Sequence, residues 1–198
     1  MPRILACLVA LLLVPVAVVA QGEPGQGLTV ERVRLPRAPT VRAGNRVLTI
    51  VRVDLRRYRI AVLSSVRDGP ARTIDRWVHD HHLVGAINAG MFLPNRRPVG
   101  TLVDRGEVLS DRNPERFDGI VGWDPRLGAS PIGVGGRGCA IGREGILGRY
   151  ASAVQGFRMM IDCRGRAVPW PAHRRYSAAA FGRDAAGRAV FLNTRTPY

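Results

Sequence analysis

Four places in the sequence bring together residue types that can do chemistry. The first is His79-Asp80-His81-His82. On a helix, His79 and His82 share a face three residues apart, while His81 falls on the apolar stripe and Asp80 points elsewhere. No Glu or further His follows at metalloprotease spacing, and imidazoles in a last helical turn interact favourably with the helix dipole without any metal. No metal site and no cofactor is therefore expected. The second is Gly133-Val134-Gly135-Gly136-Arg137-Gly138, which satisfies the letter of G-x-G-x-x-G. Pro131 stands just before it and no amphipathic helix is evident after it, so it reads as a flexible loop rather than a dinucleotide cradle. With no Lys in the chain there is no phosphate-binding G-K-[ST], and no G-x-S-x-G elbow is present.

The other two places are more informative. In Ile87-Asn88-Ala89-Gly90 a buried-looking strand ends in a polar side chain followed by a glycine. A strand terminus with close-approach backbone is where ligands meet sheets; the same residues also suit a plain tight turn, and both readings stand at this point. In residues 155–162, a strand would turn Phe157, Met159 and Ile161 to the core and leave Arg158, Met160 and Asp162 on the other side with Gly156. That presents a cation beside a carboxylate, as a ligand clamp or as a structural ion pair.

The elements that must position these residues are mostly strands. Period-2 or apolar runs occur at 28–34, 46–54, 58–63, 83–88, 99–103, 108–110, 119–123, 153–163, 176–183 and 188–194. Turn signals separate them at 54–57, short enough for a hairpin, at 104–107 and at 184–187. Ile74, Trp77, Val78 and His81 make the one convincing helical stripe, predicting a helix over 71–82. The expectation is a single α+β domain with one main helix packed on a largely antiparallel or mixed sheet. Val190, Phe191 and Leu192 make the last strand apolar on both faces, which predicts an interior strand and a surface for self-association.

The chain has 198 residues, 46% of them hydrophobic, enough for one ordinary core. Its formal charge is +15, and all 30 cationic residues are Arg. They are dispersed, the tightest groups being Arg56, Arg57 and Arg59, Arg96 and Arg97, and Arg174 and Arg175. None is a basic run of the kind that marks a nucleic-acid partner, and none is expected; such a charge still favours phosphate-bearing ligands. Residues 1–20 read as a secretory signal peptide, with Arg3 ahead of an apolar stretch and small residues at Val18 and Ala20 before a polar break. Cleavage there leaves no membrane span, and export to the periplasm, envelope or medium is expected. Residues 21–45 read as a lead-in and first strand, and 46–198 as the main domain. Cys139 and Cys163 remain after cleavage, an even pair that fits one disulfide.

The combination of Val53-Asp54, Arg72-Thr73, Trp77, the Ala86-Ile87-Asn88-Ala89-Gly90-Met91-Phe92 core and Pro98-Val99-Gly100 resembles the phosphodiester glycosidase family. The resemblance continues through Tyr150, Val154-Gln155, Arg158-Met159, Trp170, Ser177-Ala178-Ala179, Asp184, Gly187-Arg188 and Arg195, and covers about residues 47–198. It implies hydrolysis of a sugar phosphodiester or related envelope linkage, with a glycan or sugar phosphate as ligand. Under that reading Arg158, and second Arg175, would clamp the phosphodiester. Asn88 and the Gly90 backbone would orient the sugar, Asp162 or Asp104 would supply a carboxylate, and Gln155 and Ser177 join the substrate-binding set. Bacterial members of the family continue past the Arg-x-Pro-Tyr segment into a helix and a Gly-Gly-containing acidic motif. This sequence stops at Tyr198, so a domain incomplete at its C-terminus is expected. The alternative expectation is a non-catalytic envelope module that holds an anionic glycan in the same cleft.

Overall fold

Alternation of apolar and polar side chains produces the expected strands, and the chain joins them in antiparallel pairs throughout. A computed structural model describes residues 4–5, 16–21, 25–36, 46–169 and 178–194. In chain order the elements are β1 (Ile4–Leu5), β2 (Val16–Gln21), β3 (Leu28–Arg34), β4 (Val47–Val53), β5 (Arg59–Ser64), α1 (Ile74–Asp80), β6 (Ala86–Asn88), β7 (Leu102–Asp104), β8 (Glu107–Ser110), β9 (Gly119–Pro125), β10 (Ile132–Gly136), α2 (Arg143–Arg149), β11 (Tyr150–Gly156), β12 (Ala179–Arg183) and β13 (Ala189–Thr194).

These strands form three sheets. One has the order β10-β9-β11-β7-β8, a second β12-β13-β4-β3, and in the third β2 lies between β5 and β6 with β1 following residues Ala20 and Gln21. A single core joins all three: Val51 and Phe191 from the second sheet, Ile60, Val62 and Ile87 from the third, and Leu102, Trp123 and Ile132 from the first are buried together. The Trp123 indole N–H donates to the Ile60 carbonyl at 3.1 Å, a hydrogen bond between two of the sheets inside that core. Burying a side chain of this size stabilises by roughly 1.5–3 kcal/mol. β13 is an interior strand, as its two apolar faces predict, lying between β12 and β4, with Phe191 stacked on Phe181 at 4.7 Å.

Several expectations need correction. The predicted helix over 71–82 is shorter, Ile74–Asp80, because Thr73 caps it by accepting from Arg76 N. Among the described residues it is one of two seven-residue helices, so the fold does not rest on one main helix; α2 begins five residues after the end of the glycine run. Residues 133–136 of that glycine run are not a loop but part of strand β10, paired with β9 from Ile132↔Trp123 to Gly136↔Gly119, and Arg137-Gly138 form the turn that follows. Its glycines are needed by packing: a Cβ at Gly133 would lie 2.4 Å from the Tyr150 ring, and one at Gly135 would lie 2.7 Å from Ile146. The turn at 54–57 does not form a hairpin, since β4 and β5 belong to different sheets. The turns at Arg105-Gly106 and at 184–187 do join paired strands, β7 to β8 and β12 to β13. The long strand expected over 153–163 stops at Gly156. Beyond it Met159 is buried while Phe157 and Ile161 are exposed, so the strand alternation does not hold there.

Candidate functional site

The strands of the five-stranded sheet all end at two rims, and the candidate residues separate between them. At one rim Gly119, Gly136 and Gly156 lie in register across three neighbouring strands. Gly119 and Gly136 line a cleft of about 250 Å³ bordered also by Asn113, Asp118, Arg137, Arg143 and Gln155. The loops that close it are fixed by Gln155. Its buried amide accepts from Thr101 N at 3.0 Å and donates to Asn113 Oδ1 at 2.8 Å and to the Phe117 carbonyl at 3.2 Å. Gln155 is thus a framework residue as much as a lining one.

Gly90 belongs to the same rim. It has φ +67°, and a Cβ there would lie 3.2 Å from the Gln155 carbonyl, so glycine is required by conformation and by contact. At Gly100 a Cβ would lie 2.8 Å from the Phe117 ring and 3.1 Å from the same carbonyl. The segment carrying half-buried Asn88 and Gly90 is in this way seated against the end of β11. Arg158 lies two residues past β11, and its neighbour Met159 donates its backbone N–H to Asp118 Oδ1 at 2.7 Å, which binds the Arg158 segment to the cleft wall. The structure therefore brings Asn88, Gly90, Gln155 and Arg158 to one end of the sheet.

The cations of the cleft are differently held. Arg143, at the start of α2, donates from Nε to Thr101 Oγ1 at 2.7 Å and pairs with Glu144, leaving its side chain one-fifth exposed. Arg137 is two-thirds exposed and meets Asp118 Oδ2 at 3.2 Å, with the Asp118 side chain only 11% exposed. A phosphodiester entering here would meet two guanidinium groups and one carboxylate. Sequence reasoning did not find Asp118, Arg137 and Arg143. They are 25 residues apart at the extremes and come together only through the β9–β10 hairpin and α2; a cation at the end of the glycine run was the one local signal.

Asp162 sits in a turn outside the cleft, tied to it by the disulfide between Cys139 and Cys163, whose Cα atoms are 5.0 Å apart. Its carboxylate accepts from Arg164 N at 2.9 Å, Arg166 N at 3.0 Å and Arg166 Nε at 2.9 Å. The backbone hydrogen bond from Arg166, followed by its guanidinium, holds this carboxyl below the usual range. Such a group stays ionised and is poorly suited to donate a proton.

Asp104 lies at the opposite rim, since Ser152, its neighbour across β7 and β11, is separated from Gly156 by about 13 Å of extended strand. Its side chain is 1% exposed and pairs with Arg67 at 2.8 Å and Arg105 at 3.4 Å. Beside it, Asp124 accepts from the Ser152 hydroxyl, which in turn accepts from Arg105 N at 2.8 Å. Burial pushes the Asp124 carboxyl above its ordinary value; the Ser152 hydrogen bond opposes this and the Asp104 charge adds to it. This second polar group makes a separate carboxylate pair, at the other end of β11 from Arg158.

Arg175 and Ser177 lie outside the described residues. In the histidine run, His79 Nδ1 meets Asp80 Oδ1 at 3.0 Å and the His81 ring packs on Trp77 with centroids 5.2 Å apart. Among the described residues no group of three or more His, Cys, Asp or Glu is placed to hold a metal ion, and no helix is long and apolar enough to cross a membrane. Comparison with known proteins finds no match: no family model, no curated protein and no solved structure is similar to the chain.

Proposed function

We propose that the chain is an exported protein that takes a sugar phosphodiester, or a related envelope sugar phosphate, into the cleft at the Gly119–Gly136–Gly156 rim and hydrolyses it. The observation that supports this reading most is the pair of guanidinium groups, Arg143 and Arg137, bordering one cleft with Asp118, while the Gly90 and Arg158 segments are held at the same end of β11. The guanidinium groups clamp the phosphate, and Asn88 orients the sugar. Asp118, paired with Arg137, is the carboxylate that borders the cleft. The disulfide agrees with an oxidising compartment and supports export.

The test is release of sugar from an α-N-acetylglucosaminyl phosphodiester by purified protein. Arg143→Gln and Arg158→Ala are each expected to lower kcat/KM about 10- to 100-fold, the worth of one charge-assisted hydrogen bond. Unchanged rates in both variants would remove the clamp assignment.

A second reading, a non-catalytic module that binds anionic glycan, is favoured by one observation. Asp104, Asp118 and Asp162 are all paired with Arg side chains. Saturable binding of the same phosphodiester without any product after prolonged incubation would select this reading.

A further inference from the structure

The apolar stretch at residues 16–21, where the signal-peptide reading ends, is the central strand of the third sheet. β2 pairs with β5 from Val16↔Ser64 to Gln21↔Arg59 and with β6 from Ala17↔Asn88 to Val19↔Ala86. Among the described residues β5 and β6 pair with no strand other than β2. The outer edge of β5 is closed by side chains instead: Trp123 Nε1 donates to the Ile60 carbonyl and the Arg67 guanidinium to the Val62 carbonyl. Because the backbone of Ile60 and Val62 faces away from β2, that of Arg59, Ala61 and Leu63 faces toward it. With β2 in place, Val62 of one wall is 0% and Ile87 of the other 4% exposed, and both belong to the core that joins the three sheets. A vacant slot would therefore leave two facing rows of backbone donors and acceptors inside the fold without partners.

We propose that the slot between β5 and β6 is a binding site for one extended apolar strand, filled in the intact chain by Val16–Gln21, and that its occupancy holds Asn88 in place. Asn88 is the last residue of β6 and stands opposite Ala17, so β2 supplies the pairing that fixes the strand from which the Asn88–Gly90 segment departs. Cleavage after Ala20 would remove all of β2 except Gln21. The processed domain would then have an open slot that accepts a strand of the same chemistry: apolar, about six residues long, and antiparallel to both neighbours. The inference uses the proposed function only for the importance of Asn88, and its test needs no substrate.

The test is hydrogen exchange on the full chain and its Val18→Pro variant. Val18 stands opposite both Val62 and Ile87, and proline there removes a backbone donor directed at β6. The amides of Ala61, Leu63 and Ile87 are expected to exchange at least about tenfold faster, while Ile120, Val121 and Trp123 keep their protection. Unchanged exchange at Ala61 and Ile87 would overturn the proposal. A second arm uses the chain beginning at Gln21, titrated with a synthetic peptide of residues 14–21. Saturable binding that restores protection at Ala61 and Ile87, lost when the peptide carries Val18→Pro, is the expected result. Where Val18→Pro unfolds the whole chain, this arm decides, and failure of the peptide to restore protection overturns the proposal. Absence of sugar release by the full chain, with both exchange results as expected, would count against the function alone.

Discussion

At the scale of single residues the chemistry is governed by an excess of guanidinium groups. With 30 Arg against 15 acidic residues, a carboxylate near any loop finds a cation, and Asp54, Asp80, Asp162 and Asp184 all have lowered proton affinity. Asp124 is the exception, because burial outweighs its hydrogen bond to Ser152. Its folded form binds a proton more tightly than the unfolded chain does. The contribution to stability is thus fully present below the unfolded value, about 3.8, and is lost as pH rises through the folded one. Asp124→Asn keeps a partner for Ser152 and tolerates the positive φ of 54° at this position. The variant is expected to melt above the parent protein at pH 7, and the difference should vanish as pH falls below about 3.8. Thermal unfolding at the two pH values checks this; equal destabilisation at both would show that burial of the charge is not the governing cost.

At the scale of elements, glycine does what apolar side chains usually do. Tyr150 lies against Gly122 and Gly133, and Ile146 of α2 fits over Gly122 and Gly135, so large side chains fill the space left by three missing Cβ atoms. Gly133→Ala would drive a methyl group into a ring that is 4% exposed and cannot swing aside. A loss of about 1–3 kcal/mol in urea unfolding is expected, with retention of stability showing that β10 can shift away from β11. The same arrangement explains what was legible in the sequence. Strands with alternating Val, Ile and Leu, such as β3, β4 and β13, announce themselves by hydropathy. β10 does not, because Ile132-Gly133-Val134-Gly135-Gly136 carries its pattern in absent side chains. α2 was hidden for a related reason: Gly145 and Gly148 lower its helix propensity, and Ile146 docking on the sheet supplies what propensity lacks. Asn88 and Gly90 were legible as a strand end, while the Asp118–Arg137 pair required knowledge of which strands are neighbours. Arg158 and Asp162 lost their shared strand face because the chain leaves the sheet at Gly156, where Asp118 captures Met159 N.

At the scale of the whole molecule, the Cys139–Cys163 disulfide encloses much of the cleft's machinery. The 24-residue separation runs through Arg143, α2, β11, Gln155 and Arg158, so the bond closes a loop around one wall of the site. A cross-link of this span restricts the unfolded chain and contributes roughly 3 kcal/mol on the chain-entropy model. Inside the folded state the loop has other supports: β11 is paired on both sides by β9 and β7, and the Asp162 turn is closed by Arg164 and Arg166. Reduction is therefore expected to lower global stability by about 3 kcal/mol while leaving the five-stranded sheet folded. Exchange of the 157–167 amides should quicken more than that of Ile120 or Val154. Urea unfolding of the Cys139→Ser/Cys163→Ser variant, paired with hydrogen exchange, measures both quantities. A loss below about 1 kcal/mol would mean that the unfolded chain already keeps these two segments close, and the stabilising role would pass to the Asp162 turn.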